Sequence, residues 1–202
     1  FFIQLVKAII LFLALSLLCC DAQLGSPNSG RRQQKRWLGA SRVEVPIWSN
    51  LVDSATETFG NLSAYKYVAT SITNPCSYEI SRVQVLLLRQ GSAAYNITNS
   101  VWSNTGSAPN ALLASATNVV VQSSLTTSAA TNTFWYASGT ILTVGQTNHL
   151  VLAIDTVDAS NYGKFRYLVT AGQGGNHSSA GSSWAAYIPG NSWWFVIYGY
   201  PQ

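Results

Sequence analysis

Along most of this chain apolar and polar residues alternate with a period of two, and the clearest run is the last, Ser192–Tyr200, which reads SWWFVIYGY. Pro189, Gly190 and Asn191 fence it on one side and Pro201 on the other, so it reads as a strand. Alternation puts Trp193, Phe195 and Ile197 on one face and Trp194, Val196, Tyr198 and Tyr200 on the other. Both faces need a covering layer, as in a central strand of a sandwich. Glu79–Arg89 is the strongest internal run, with Val83, Val85 and Leu87 facing one way and Gln84, Leu86 and Leu88 the other. Its second half is apolar on both sides, which predicts a central position.

Arg42–Trp48 and Ser63–Ile72 alternate as half-buried strands do. Further strands are predicted at Asn96–Ser103, Ala111–Gln122, Asn132–Ala137, His149–Asp155, Lys164–Thr170 and Ser183–Ile188. Between them stand turn signals: Asn104-Thr105-Gly106, Val144-Gly145-Gln146, Asn161-Tyr162-Gly163 and Gly172-Gln173-Gly174-Gly175. Past the apolar N-terminus only Ser54–Phe59 reads as a helical turn. About ten short strands at even spacing predict an all-β fold, an antiparallel β-sandwich of jelly-roll type.

The first segment breaks the pattern. Phe1–Cys20 is nearly unbroken hydrophobe, interrupted by Gln4 and Lys7, with a dense core from Ala8 to Leu18. Residues 1–22 read as a signal peptide, with Cys20 and Ala22 as the small residues of a cleavage site after Ala22. Left uncut, about 20 apolar residues also suit a signal anchor, the one route to a membrane that these residues offer. Residues 23–36 hold one Leu among small and polar residues, too little to form a core. They read either as a disordered linker or as a propeptide cut after the dibasic pair Lys35 and Arg36. Residues 37–202 then form a single domain, exported to the cell surface or the extracellular space.

Charge changes the picture once it is located. The formal net charge is +4, yet five of the eleven Lys and Arg residues lie in the first 36 positions. From Trp37 onward six basic residues meet six acidic ones, so the body is neutral and lacks the clustered cations a nucleic-acid binder sets against phosphate. Its polarity comes from Ser, Thr, Asn and Gly, the surface chemistry of extracellular β-proteins. Of the three cysteines only Cys76 lies in the body, so the domain has no internal disulfide to rest on. Three N-x-S/T sequons stand at Asn61, Asn96 and Asn176: glycan acceptors in a eukaryotic host, chance in a bacterial one.

The chemistry-bearing residues argue against catalysis. Glu44, Asp53, Glu57, Glu79, Asp155 and Asp158 are scattered, without the facing carboxylate pair of a glycosidase. His149 or His177 could partner Asp155, but no G-x-S-x-G elbow supplies a nucleophile. Asp155 and Asp158, in a D-x-x-D loop after a strand, are weak candidates for calcium ligands, with solvated loop acids as the plainer reading. The chain therefore reads as a non-enzyme that calls for no cofactor. Aromatics crowd its last twenty residues among amides and hydroxyls, a mixture that suits sugar rings edged by hydroxyl groups. The candidate ligand residues are Trp184, Trp194, Tyr187 and Asn176, grouped where Gly172–Ser183 meets the approach to the last strand. A glycan-binding or adhesive module is the leading expectation, with glycans or other surface proteins as partners. The alternative is a structural subunit of an extracellular coat, appendage or matrix.

One order of motifs stands out: Ile80-Ser81-Arg82-Val83-Gln84-Val85-Leu86-Leu87-Leu88, then Gly106-Ser107-Ala108-Pro109-Asn110-Ala111-Leu112-Leu113-Ala114, then Leu142-Thr143-Val144-Gly145-Gln146-Thr147-Asn148-His149-Leu150-Val151-Leu152. With the closing aromatic strand, this succession resembles the bacterial choice-of-anchor domains of cell surfaces over roughly Tyr65 to Gly199. Asn148-His149 stands where an aromatic pair is common in that family, and with no sorting helix read after Ser192–Tyr200 the family's anchoring is not part of the expectation. The resemblance implies a sandwich in a cell-surface setting and supplies no catalytic residue.

Overall fold

The computed structural model describes residues 42–51, 55–169, 175–187 and 191–202. Within them the chain forms β1 (Val45–Asn50), β2 (Ala55–Phe59), β3 (Tyr67–Thr73), β4 (Tyr78–Gln90), β5 (Asn96–Thr105), β6 (Ala108–Ser115), β7 (Val120–Val121) and β8 (Ala130–Trp135). There follow β9 (Ile141–Leu142), β10 (Thr147–Ile154), β11 (Tyr162–Val169), β12 (Gly175–Ser178), β13 (Ala185–Tyr187), β14 (Asn191–Trp193) and β15 (Phe195–Pro201). Helical structure among the described residues is limited to two 3-10 turns, Ser63–Tyr65 and Gln122–Ser124.

The strands make two antiparallel sheets, of eight and seven strands, that pack as a sandwich. Eight of them form a jelly roll: β1-β15-β4-β8 in the first sheet and β3-β10-β5-β6 in the second, with the chain crossing from one sheet to the other. The hairpin extension β11 to β14 is inserted between β10 and β15 and widens both sheets. β11 pairs β2 and β4 in the first, while β12 and β13 add to the outside of β3 in the second. β4 is the longest strand, and its residues 82–87 pair β8 on one edge. Its other edge is shared end to end by β15, along Tyr78–Val85, and β11, along Leu87–Gln90.

Alternation decides the core. Val83, Val85 and Leu87 of β4 and Phe195 and Ile197 of β15 pack inward against Ile97 and Val101 of β5 and Leu150, Leu152 and Ile154 of β10. All are buried, so the central positions expected for the last strand and for Glu79–Arg89 hold. Each aliphatic or aromatic side chain so covered contributes about 1.5–3 kcal/mol relative to exposure.

The strand count exceeds about ten because short pieces carry no readable period. Ser192–Tyr200 is broken at Trp194: β14 pairs β11, β15 passes between β1 and β4, and the Trp194 amide crosses the break to the Arg166 carbonyl at 2.9 Å. Ala111–Gln122 divides into β6, which leaves β5 at Ser115, and β7, which returns to pair Asn96 and Ile97. Ser54–Phe59 is not a helical turn over its described part. β2 lies along β11 with Thr56 opposite Arg166 and Thr58 opposite Lys164, so cross-strand pairing of β-branched residues overrides the local helical pattern. Ser63–Tyr65 coils as a 3-10 turn, and the strand predicted there begins at Tyr67. Gly163, read as part of a turn, lies within β11, where a Cβ would stand 2.4 Å from the Phe59 ring; the close approach of that ring requires glycine.

Candidate functional site

The inserted segment builds the site on the outer face of the second sheet. Along β10 the residues Leu150, Leu152 and Ile154 face the core, so His149, Val151 and Ala153 face outward. Their neighbours on that face are Tyr67, Ala69 and Ser71 of β3 and Thr98, Ser100 and Trp102 of β5. His149, Val151 and Ala69 are nevertheless buried, because the face is roofed. The chain after β12 carries Trp184 back over the sheet, its ring 6.5 Å from that of Tyr67 and 6.1 Å from that of Trp102, edge-on to both. Since β3 and β5 flank β10, the indole lies across β10. From the other side the β5–β6 hairpin folds in, and Asn176 of β12 donates from Nδ2 to the Ser107 carbonyl at its tip, 2.9 Å away.

Beneath this roof His149 Nε2 lies 2.8 Å from Asn104 Oδ1. With that nitrogen as the donor, Nδ1 is left buried without a partner, as is the Trp184 indole N–H. Burial holds the imidazole neutral and lowers its pKa from 6.5 to about 4.

The roof ends at Tyr67. Beyond it the face opens into a groove of about 290 Å³ lined by Lys66, Tyr67, Asn96, Thr98, Ala153, Ile154 and Asp155. These residues sit where β3, β10 and β5 end side by side, and the backbone fixes them: Ile154 N–H bonds to the Lys66 carbonyl and Asp155 N–H to the Asn96 carbonyl, both at 3.1 Å. Asn96 Nδ2 donates to Asp155 Oδ2 at 2.9 Å. The groove thus combines one aromatic wall, an ammonium group, an amide, a hydroxyl and a carboxylate. It can stack a ring on Tyr67 while donating to and accepting from hydroxyl groups around it.

The sequence-predicted residues fall on both sides of the molecule. Trp184 and Asn176 share the roofed face, but Asn176 is buried and its amide is committed to the hairpin. Tyr187 ends β13 with its backbone opposite Gly175. Trp194 belongs to the first sheet, between the inward-facing Trp193 and Phe195, so it does not join Trp184. Tyr67, Lys66 and Thr98 were not foreseen, because their role comes from strand register across three separate segments. The one available signal was Asn96 and Asp155 following the ends of predicted strands.

Asp158 does not open toward a ligand: it accepts from the Ser160 amide (2.8 Å), Asn161 Nδ2 (2.9 Å) and the Tyr95 hydroxyl (2.9 Å). Those bonds, with Asn161 and Ser160 foremost, lower its pKa from 3.8 to about 2. It organises the β10–β11 loop, and among the described residues no three His, Cys, Asp or Glu side chains gather as a metal site. His177 stacks edge-on to Tyr65 at 4.8 Å, and Asp155 bonds to Asn96, so neither forms the His–Asp pair considered from sequence. Of the sequons, Asn176 is buried with its Nδ2 engaged, Asn96 lines the groove, and Asn61 is half-buried after β2. The cleavage candidates Ala22, Lys35 and Arg36 lie outside the described residues. No protein-family model, no curated protein and no solved structure matches this chain.

Proposed function

We propose that this chain is an exported, non-catalytic β-sandwich module that binds glycans, and that the groove beside Tyr67 is its ligand site. The observation that carries the reading is the groove's lining: one aromatic ring beside Lys66, Asn96, Thr98 and Asp155, at the ends of three interior strands. Sugars present apolar C–H faces rimmed by hydroxyls, and such a wall with donors and acceptors around it complements both. The all-β sandwich is compatible with a protein that does no chemistry. An exported setting is supported by the apolar N-terminal segment, and a cell-surface one by the resemblance to choice-of-anchor domains. Trp184 enters as the buttress that holds the Tyr67 ring at the groove's rim.

A glycan array probed with the whole chain tests this. Tyr67→Ala is expected to weaken binding at least tenfold without moving the thermal midpoint by more than a few degrees, since Tyr67 is only half-buried. Trp194→Ala leaves binding intact. An array on which the chain binds nothing, or on which Tyr67→Ala binds as well as the parent, removes the proposal.

A structural subunit is favoured by a different observation. β6 is an edge strand of the second sheet with Leu112 54% and Leu113 44% exposed, a surface open to further strand pairing. Light scattering that finds large assemblies supports that second reading, and a monomer at high concentration excludes it.

A further inference from the structure

The opposite face of the molecule carries a second surface. Across four adjacent strands of the first sheet, register places Trp135 (β8) opposite Arg82 (β4), Arg82 opposite Tyr198 (β15) and Tyr198 opposite Pro46 (β1). The inward neighbours Val83, Phe134 and Ile197 are core, so this row points outward. Three of the four side chains end in flat groups, an indole, a guanidinium and a phenol, and the fourth is the puckered ring of Pro46. At about 4.8 Å per strand the row spans about 14 Å.

Two features make it rigid and uncharged. Arg82 is held by Glu44, through Nε at 3.1 Å and a terminal nitrogen at 2.9 Å, and Ser81 Oγ donates to the other oxygen of Glu44. Its guanidinium lies 3.8 Å over the Tyr198 ring and 5.4 Å from that of Trp135, so its charge is balanced by Glu44 while its plane packs against the two rings. Trp135 is clamped through its backbone: its N–H bonds to Asn118 Oδ1 at 2.7 Å and its carbonyl accepts from the Thr117 N–H at 2.7 Å. The indole itself is 48% exposed, a large aromatic left in solvent on a backbone that cannot turn it inward.

We infer that this row is a second binding surface, for an uncharged polysaccharide whose linked sugar rings run along it with a C–H face on the exposed Trp135 indole. Charge chooses the occupant: with Glu44 neutralising Arg82, the row has nothing to hold a polyanion. Extent chooses it further, because a row of about 14 Å admits an extended chain, whereas the groove on the other sheet is lined for a ring edged by donors and acceptors. The inference does not depend on the groove. Where both surfaces act, one molecule bridges two glycans.

The test is sedimentation of the whole chain with microcrystalline cellulose and with chitin, with soluble polygalacturonate added as a charged competitor. The expected result is retention on at least one neutral solid, a bound fraction at least fivefold lower for Trp135→Ala, and recovery of most of it by Trp135→Phe, which keeps a ring. Leu113→Ala, an exposed change on β6 of the other sheet, should sediment like the parent, which ties the loss to the Trp135 row. Thermal midpoints of both Trp135 variants close to the parent's show that the fold is kept. A parent protein left in the supernatant by both solids, a Trp135→Ala variant that binds equally, or release of the bound protein by polygalacturonate overturns the inference.

Discussion

His149 is the residue whose surroundings most constrain the molecule's behaviour. It is 0% exposed, with Ser71 and Trp102 beside it on the sheet, Asn104 on its Nε2 and no carboxylate bonded to it. As pH falls, the unfolded chain takes up a proton at this imidazole from about pH 6.5, while the folded chain resists until about pH 4. Protons therefore favour the unfolded state throughout that window, and stability falls as pH drops through it, by up to about 3 kcal/mol. Thermal midpoints measured from pH 7 to pH 4 should decline, and His149→Gln should flatten the decline. An equal decline in that variant would assign the effect to other groups. At the same scale, Asn176 shows what a sequon cannot reveal: its amide nitrogen is buried under the β5–β6 hairpin, so the folded arrangement has no room for a sugar there.

Among the elements, β4 needs a device that local sequence does not announce. Where β4 ends against β11, Gln122 is buried in the loop after β7 and donates from Nε2 to the carbonyls of Gln90 (2.8 Å) and Tyr162 (3.3 Å). Its Oε1 accepts from the Ala93 amide at 2.8 Å. One buried side chain thus bonds backbone groups of three segments and ties them together. Gln122→Ala should cost on the order of 3 kcal/mol, read as a lower midpoint in chemical denaturation with an unchanged slope. A loss under 1 kcal/mol would mean that water replaces the amide. The inserted strands β11 to β14 act on a larger scale, since they bring Trp184 over β10 and convert an open sheet face into a roof with a groove at its rim.

For the whole molecule, stability rests on two packed sheets and on no covalent link in the body. Cys76 is buried and is the one cysteine among the described residues. A fragment of residues 37–202 should fold as an all-β domain with the same thermal midpoint in the presence and absence of reductant. Helical circular dichroism, or melting on reduction, would contradict that. The two candidate surfaces lie on the outer faces of opposite sheets, so the sandwich itself keeps them apart.

Which positions are core was legible in the residues, because burial on one face of a strand writes a period of two into the chain: Val83, Val85, Phe195 and Ile197 stand where alternation puts them. The jelly-roll class followed from the number and spacing of such runs. The candidate site was not legible to the same degree. Trp184 was singled out for its neighbours in sequence, yet its partners are Tyr67 and Trp102, more than eighty residues away in the chain. Trp194 carried the same local signal and landed in the other sheet. Local alternation reports only whether a side chain faces inward or outward. Which outward residues meet is set by register between strands distant in sequence and by where an inserted segment folds back, and those are decided only when the sheets assemble.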